Sequence, residues 1–547
     1  MSAALDYTAE AFSLPADKPM GRQSAGESFL KGYIRHSGAT RFTGHVIPTH
    51  DALAFTKQIQ TLSPGAEVRI ARPNALHSVI EEGTLFCFHP VLPQHAWSRR
   101  AVGEAAYSLC GLTHTLASHT VLDAVADMLI APMHDWDALI CPSRAIRGVV
   151  EGVFDDQQAY LTARMQAAQI ARPQLPVIPL GINTDEFTPD PAKRQSWRKR
   201  LGMAEDEVCV IYVGRLSLHA KANPLPMYVA LEQAAKATGK KVRLLLVGWF
   251  ANDRIGDLFK RGATELMPSV KLTLVDGTDT DARMGAWASA DIFFQLSDNI
   301  QESFGLSPVE AMAAQLPAVV SDWDGFRDTI VAGETGFLAP TIQPPAGTGA
   351  DIASRYDTGM WNYDSYLAGA CQSTAVSVKA AADALITLIQ NPERRLSMGA
   401  AGRKRALALY DWGTIIPQYQ ALWQELGERR KSATGGSTAA AKPGRMDPYH
   451  MFAGFPTDVL SDDTVLVLEP AAKGYDVNAW MERQSARLIG DVLLDPPEAS
   501  ALAEKLSGGA MRMGDLLADV SAQARPVFVR TIGWMLKFAI LSVKESD

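Results

Sequence analysis

Residues 291–325, DIFFQLSDNIQESFGLSPVEAMAAQLPAVVSDWDG, constrain the fold more than any other stretch. The run from Ile292 to Leu296 lacks polar alternation, the pattern of a strand buried on both faces of a parallel sheet. A polar loop follows. Ser307 is then placed to cap a helix, and Pro308 fits the first helical position, where a missing N–H costs nothing. The helix continues through Ala311, Met312 and Ala313, and Pro317 opens a second strand, Ala318 to Ser321. Strand, loop, helix and strand make one crossover unit of a doubly wound α/β sheet, whose ligands bind in the loops after the strands.

Two carboxylates frame that loop. Glu302 precedes it, and Glu310 lies in the first turn of the helix. Between them the N–H groups of Ser303 to Leu306, Phe304 included, gather at a helix start, a natural seat for an anion. Gly305 lets a ligand approach the backbone closely. A plainer reading stands beside this one: Ser307-x-x-Glu310 is also a capping box, in which Glu310 only satisfies a helix end. A loop glutamate such as Glu302 is commonly a solvated charge.

The whole phrase ESFGLSPVEAMA, with seven residues between Glu302 and Glu310, resembles the E-x7-E signature of retaining glycosyltransferases of family 4. The resemblance covers roughly residues 15–427 and is strongest over 177–338. It implies the GT-B fold, two Rossmann-like domains facing a cleft. It also implies transfer of a sugar from a UDP- or GDP-type nucleotide sugar with retention of configuration. That nucleotide sugar would be a co-substrate; no further cofactor and no metal are implied.

Composition sets the frame. The chain has 547 residues, 47% hydrophobic and 20% charged, with a net charge of −8. That suits a globular protein of several domains and argues against nucleic acid as the main partner. Cys87, Cys110, Cys141, Cys209 and Cys371 are scattered without metal spacing, so buried reduced thiols are expected. No apolar run approaches membrane-spanning length, and no basic-then-apolar leader opens the chain. A cytoplasmic protein is expected, with peripheral contact at the inner face of the membrane left open.

The expected division is an N-terminal Rossmann-like acceptor domain (1–193), a nucleotide-sugar domain (194–412) and a helix crossing back (413–427). A flexible small-residue linker (428–446) and an accessory helical domain (447–547) follow. In the first half, strands are expected at Gly44–Pro48, Val68–Ala71, Thr84–His89, Tyr107–Leu112, Ala138–Cys141 and Val177–Leu180. The glycine-containing stretch Met20–Leu30 reads as a loop opening a helix, able to hold a phosphate or sugar. By the resemblance, Ala25-Gly26 takes the place of a Gly-Gly pair that touches the donor phosphate and the acceptor. Gly26 is then a donor contact, and Arg22 and Ser24 lie on the acceptor side. Leu112-Thr113-His114-Thr115 ends a strand. A lone histidine is more often structural, but the resemblance implies that His114 contacts the transferred sugar; His89 and His119 are the alternatives. Ser143 reads as a helix N-cap. Residues 177–187 are similar to the family's inter-domain hinge.

In the second half, Val208–Val213 is a buried strand followed by Arg215 and Lys221, two cations beside a helix start, which suit a diphosphate. The resemblance implies the same role for them. The resemblance implies that the loop Gly277 to Asp281 lies at the nucleotide base, so Asp279-x-Asp281 there is discounted as a metal site. Residues 341–372, with Tyr356 to Tyr366, read as an insertion near the acceptor entrance. Residues 447–547 loosely resemble a winged-helix module without the basic cluster DNA binding needs, so partner binding or self-association is expected there.

The implied chemistry is charge stabilisation. Arg215 and Lys221 take up charge on the departing diphosphate, Glu302 holds sugar hydroxyls, Glu310 holds ribose hydroxyls, and His114 meets the sugar from across the cleft. A hydrolase pair of carboxylates would stand about 5–10 Å apart. Eight residues of helical rise span about 12 Å, which fits two ends of one nucleotide sugar better. The acceptor, a glycan, lipid-linked glycan or protein, is not named by the sequence. The alternatives are a GT-B epimerase, a sugar-nucleotide-binding protein without turnover, and a regulator acting through its tail.

Overall fold

The computed structural model describes residues 2–13, 21–433, 442–472, 476–483 and 492–544. Met20 and residues 434–441 of the expected linker lie outside them. The chain forms two compact units, Met1–Lys442 and Pro443–Asp547.

The first unit holds two six-stranded parallel sheets. In the N-terminal lobe the strands are β1 (Ala4–Asp6), β2 (Arg41–His45), β3 (Glu67–Ala71), β4 (Thr84–Cys87), β5 (Ser108–Leu112) and β6 (Ala138–Ile140). Their order is β3-β2-β1-β4-β5-β6, so the direction of winding reverses at β1. This central strand is not among the sequence expectations: three residues give too short an apolar run to announce it. Arg41–His45 forms its strand ahead of the expected Gly44–Pro48. Val177–Leu180 makes only an isolated bridge, Cys141 to Val177. Pro176 and Pro179 supply no N–H for a ladder there.

The C-terminal lobe contains β7 (Val208–Val213), β8 (Val242–Gly248), β9 (Val270–Asp276), β10 (Ile292–Gln295), β11 (Ala318–Ser321) and β12 (Gly336–Ala339). The order β12-β11-β10-β7-β8-β9 places the reversal between β7 and β10. Every residue of β7, β10 and β11 is buried, as strands covered on both faces require.

Two chain segments cross between the lobes side by side. Ile182 donates its N–H to Tyr410 O (2.8 Å) and accepts from Trp412 N–H (3.1 Å). A Cβ on Gly181 would lie 2.5 Å from the Trp412 ring, so only glycine lets the strands touch. The helix Trp412–Ser432 then packs on the N-terminal lobe. Tyr419 and Trp423 pack tilted or edge-on among Phe29, Tyr33 and Phe86, and Arg430 reaches Gly83 O. The helix therefore consumes residues 428–432, expected to begin the linker.

The second unit combines short helices with a three-stranded antiparallel sheet, in which Val465–Leu468 lies between Met511–Arg512 and Leu541–Val543. Its core includes Leu502, Leu516, Ile532 and Met535.

Candidate functional site

The reversal point of the C-terminal sheet gathers the candidate side chains. Arg215 follows β7, and its guanidinium donates to Gln301 Oε1 (2.8 Å) and Ala220 O (3.4 Å). Lys221 Nζ stands 3.2 Å from Glu302 Oε2. The Glu302 side chain is 8% exposed and that of Lys221 31%, so the carboxylate is the more deeply set of the pair. Asn299 ties the loops together by donating to Lys221 O. One cation is thus held by the amide next in sequence to Glu302, and the other by Glu302 itself.

The helix after the loop begins at Leu306, with Gly305 as its N-cap at φ 92°. A Cβ on Gly305 would sit 2.4 Å from the Phe326 ring. Ser307 is not the cap. It lies inside the helix, and its hydroxyl donates to Val213 O (3.1 Å), tying the helix start to the end of β7. The expected capping box does not form. The Phe304 side chain is buried and packs edge-on against Tyr410, leaving only its backbone for a ligand. Leu306 is half-buried. The Glu310 carboxyl makes no hydrogen bond to the described residues, and burial pushes it up to about 7. The Arg283 and Lys221 charges oppose that shift, and Glu186 adds to it.

Asp324 was missed by sequence reasoning. It adopts a left-handed conformation (φ 45°) after β11, and burial beside Glu302 raises its carboxyl to about 8. Ser143, the N-cap of Arg144–Met165 in the N-terminal lobe, donates to Ser303 O (2.8 Å) and lies 3.4 Å from Asp324 Oδ1. A helix start of one lobe thus touches the Glu302 loop of the other.

His114 follows β5 in the N-terminal lobe. Its Nε2 donates to Phe88 O (3.0 Å), which leaves Nδ1 as the acceptor. Burial pulls its pKa down to about 4, so the ring is neutral at neutral pH. Gly26, by contrast, is no loop residue. The helix runs Gly21–His36, and Gly26 is buried inside it; a Cβ there would lie 2.0 Å from Ala11 O. Its role is helix packing, and the first helical glycine is Gly21. Arg22 sits on the same helix, paired with Glu10, and Ser24 is half-buried there. Asp279 caps the helix Thr280–Ser289 through Ala282 N–H, a structural use of that acid.

The 341–372 insertion folds into helices Ala350–Asp357 and Tyr363–Cys371. Tyr363 Oη accepts from Gln301 Nε2 (3.1 Å), so the insertion reaches Arg215 through one amide. Tyr356 stacks on His119 of the N-terminal lobe (3.7 Å between ring centres). Ala117, Ala220 and Leu367 share a small apolar cluster. The insertion therefore straps both lobes beside the cations.

Residues 193–346, which include Arg215, Lys221, Glu302, Glu310 and Asp324, match the family model described as glycosyl transferases group 1. That stretch is similar to the group 1 glycosyl transferases. It is 28% identical over 260 residues to a D-inositol 3-phosphate glycosyltransferase of Mycolicibacterium smegmatis, covering 46% of this chain and 56% of that protein. It is 26% identical over 286 residues to a phosphatidyl-myo-inositol mannosyltransferase of Mycobacterium tuberculosis, covering 50% and 63%. The matched region is thus less than two thirds of each relative's length. Among solved structures, Anabaena HepE in complex with UDP matches at a TM-score of 0.51 and 16% identity, over 77% of this chain and 99% of that one. Sucrose-phosphate synthase from Thermosynechococcus elongatus matches at 0.50 and 18%, over 78% and 99%. At such identities these likenesses speak to fold, and the fold of this chain is GT-B.

Proposed function

We propose that this chain transfers a sugar from a UDP- or GDP-linked donor to a hydroxyl acceptor with retention of configuration, without a metal at the pyrophosphate. The observation that carries the reading is the convergence of Arg215, Lys221 and Glu302 at the reversal point of the C-terminal sheet. Fixed cations there stabilise charge as it develops on the leaving diphosphate, and such groups are each worth about 3–4 kcal/mol of barrier. The helix start at Gly305 adds N–H donors for the same anion. Glu302 holds the sugar hydroxyls, and Glu310 the ribose. The neutral His114 offers Nδ1 to a sugar hydroxyl from the N-terminal lobe. The leaving phosphate oxygen takes the acceptor proton on the same face, so no side-chain nucleophile is needed.

The acceptor is a glycan, lipid-linked glycan or protein. The names of the two mycobacterial relatives make an inositol phosphate the first to try. No helix among the described residues is long and apolar enough to cross a membrane. A lipid-linked acceptor would be met at the inner membrane face by peripheral contact. Residues 447–547 serve a protein partner or self-association.

The test is a panel of nucleotide sugars, assayed for nucleotide release with and without acceptors and without added Mg2+ or Mn2+. Acceptor-dependent release, with a product of the donor's anomeric configuration, supports the reading. Isomerised donor without release indicates an epimerase, and tight binding without turnover a binding protein. An inverted product overturns retention.

A further inference from the structure

A second polar cluster lies in the N-terminal lobe, outside the donor crevice. Asp6 ends β1 at the winding reversal of its sheet, where ligands of doubly wound sheets bind. His45 of β2 and Cys87 of β4 are both register partners of Asp6 on its two sides. The three side chains therefore stand in a row across the sheet end. His89 and His95 complete the group. One ligand atom each from Asp6, Cys87, His89 and His95 all lie within 4.8 Å of one another.

The hydrogen bonds sort these residues into two roles. His45 Nδ1 lies 2.8 Å from Asp6 Oδ1. His89 Nδ1 accepts from Val91 N–H (3.1 Å), so its Nε2 carries the proton and donates to Asp6 Oδ2 (2.9 Å). Both rings therefore hold the carboxylate from outside. His95 differs. Its side chain is 8% exposed, and its Nε2 stands 3.3 Å from Asp6 Oδ2, at ion-pair distance but outside good hydrogen-bond geometry. A buried imidazole nitrogen so poorly satisfied is costly unless something else completes its coordination.

We propose that Asp6, Cys87 and His95 form a binding site for a divalent cation of the zinc class, with His45 and His89 as its outer hydrogen-bonding shell. Carboxylate, thiolate and imidazole together select zinc over magnesium or calcium. In a tetrahedron with bonds of about 2.0–2.3 Å, ligand atoms stand about 3.3–3.7 Å apart, within the span of this cluster. A carboxylate has about four lone-pair positions, so Asp6 can bind the ion while keeping both histidine donors. Hydrogen bonds from His45 and His89 fix the ligating carboxylate, as outer-shell partners commonly do. Three protein ligands leave the fourth position to water, and the partly exposed Asp6 and His89 mark the entry side. Binding releases the Cys87 thiol proton to solvent.

The test uses the full chain, stripped with a chelator and titrated with Co2+ as a spectroscopic probe. One equivalent is expected to give strong tetrahedral visible bands and a near-ultraviolet thiolate-to-cobalt band, both bleached by Zn2+. Cys87→Ser is expected to remove the near-ultraviolet band, and Cys371→Ser to keep it. His89→Ala is expected to weaken affinity about 10- to 100-fold while the band persists. Wild-type protein showing no such band overturns the site, whatever the variants do. So does a band that survives in Cys87→Ser. Neither readout depends on sugar transfer.

Discussion

Lys221 Nζ and Glu302 Oε2 stand 3.2 Å apart, one supplied by the loop after β7 and the other by the loop after β10. The contact is both a structural tie across the sheet's reversal point and a poised charge pair. A donor that brings its own negative charge would compete with Glu302 for Lys221 and free the carboxylate for sugar hydroxyls. Lys221→Met is therefore expected to lower turnover about 100- to 1,000-fold, the loss of one fixed stabilising group. It should also lower the melting temperature, because Glu302 is left nearly buried without its cation. The double variant Lys221→Met/Glu302→Gln should regain much of that melting temperature and none of the turnover. A double variant as inactive and as unstable as the single one would mean that the pair is not the unit of stability.

Glu310 titrates near neutrality because burial lifts its carboxyl from the ordinary 4.5 to about 7. The folded chain thus holds this proton more tightly than the unfolded one. Its contribution to stability is greatest below about pH 4.5, declines as pH rises towards 7, and stays reduced above. The ceiling on that loss is about 3 kcal/mol; Glu310 is half-buried, and solvent screening brings it to about 1 kcal/mol. Glu310→Gln is expected to melt higher than wild type at pH 8 and alike at pH 5. Nucleotide affinity should move the opposite way in wild type: ribose hydroxyls donate best to the ionised carboxylate, so binding tightens as pH passes 7. Calorimetric titrations at pH 6 and pH 8 check this, and in Glu310→Gln the difference should vanish.

Gln301 couples Arg215 to the insertion, accepting from the guanidinium at 2.8 Å and donating to Tyr363 Oη at 3.1 Å. Tyr363→Phe deletes the neutral hydrogen bond with Gln301, worth about 1 kcal/mol. The expected result is a rise of about threefold to tenfold in KM for the nucleotide sugar. Turnover at saturation should change little, and the melting temperature should fall by only a degree or two. Steady-state kinetics on donor and acceptor separately would locate the effect; a change confined to the acceptor KM would place Tyr363 on the other side of the reaction.

The parts of this fold that were legible share one property: a pattern contained in a few consecutive residues. Val208–Val213 and Ile292–Gln295 read as buried strands because both faces are covered. Ser143 reads as a cap because an N-cap is a local device, and it is one. Ser307 carries the same local signal and fails. Gly305 reaches φ 92° and starts the helix two residues earlier, and the Ser307 hydroxyl finds Val213 O on a distant strand. The grouping of Asp6, His45 and Cys87 was illegible for a related reason. Only the registers of β2, β1 and β4 put the three side by side, and β1 is too short to be recognised. Gln301 stood next to a singled-out glutamate, but nothing in the sequence tells which cation an amide will face.

Gly26 separates a binding role from a packing role. As a phosphate-loop glycine it would tolerate alanine structurally and lose donor affinity. The structure instead buries it in the helix Gly21–His36, where a Cβ would meet Ala11 O at 2.0 Å and the Phe88 ring at 3.5 Å. Backbone cannot swing aside as a side-chain end can, so Gly26→Ala must push the short helix Ala9–Phe12 away from its neighbour. The expected cost is about 1–3 kcal/mol, the range for overpacked interiors. Gly21, at the start of the same helix, has open space around its Cβ position. Gly21→Ala should therefore leave stability nearly unchanged, and any loss of donor affinity it causes would report on the ligand rather than on folding. Thermal melts of both variants, alongside nucleotide binding per folded molecule, decide between the two glycines. Gly26→Ala should melt several degrees lower yet bind nucleotide normally once folded. A stable Gly26→Ala chain with weakened nucleotide binding would return Gly26 to the donor site.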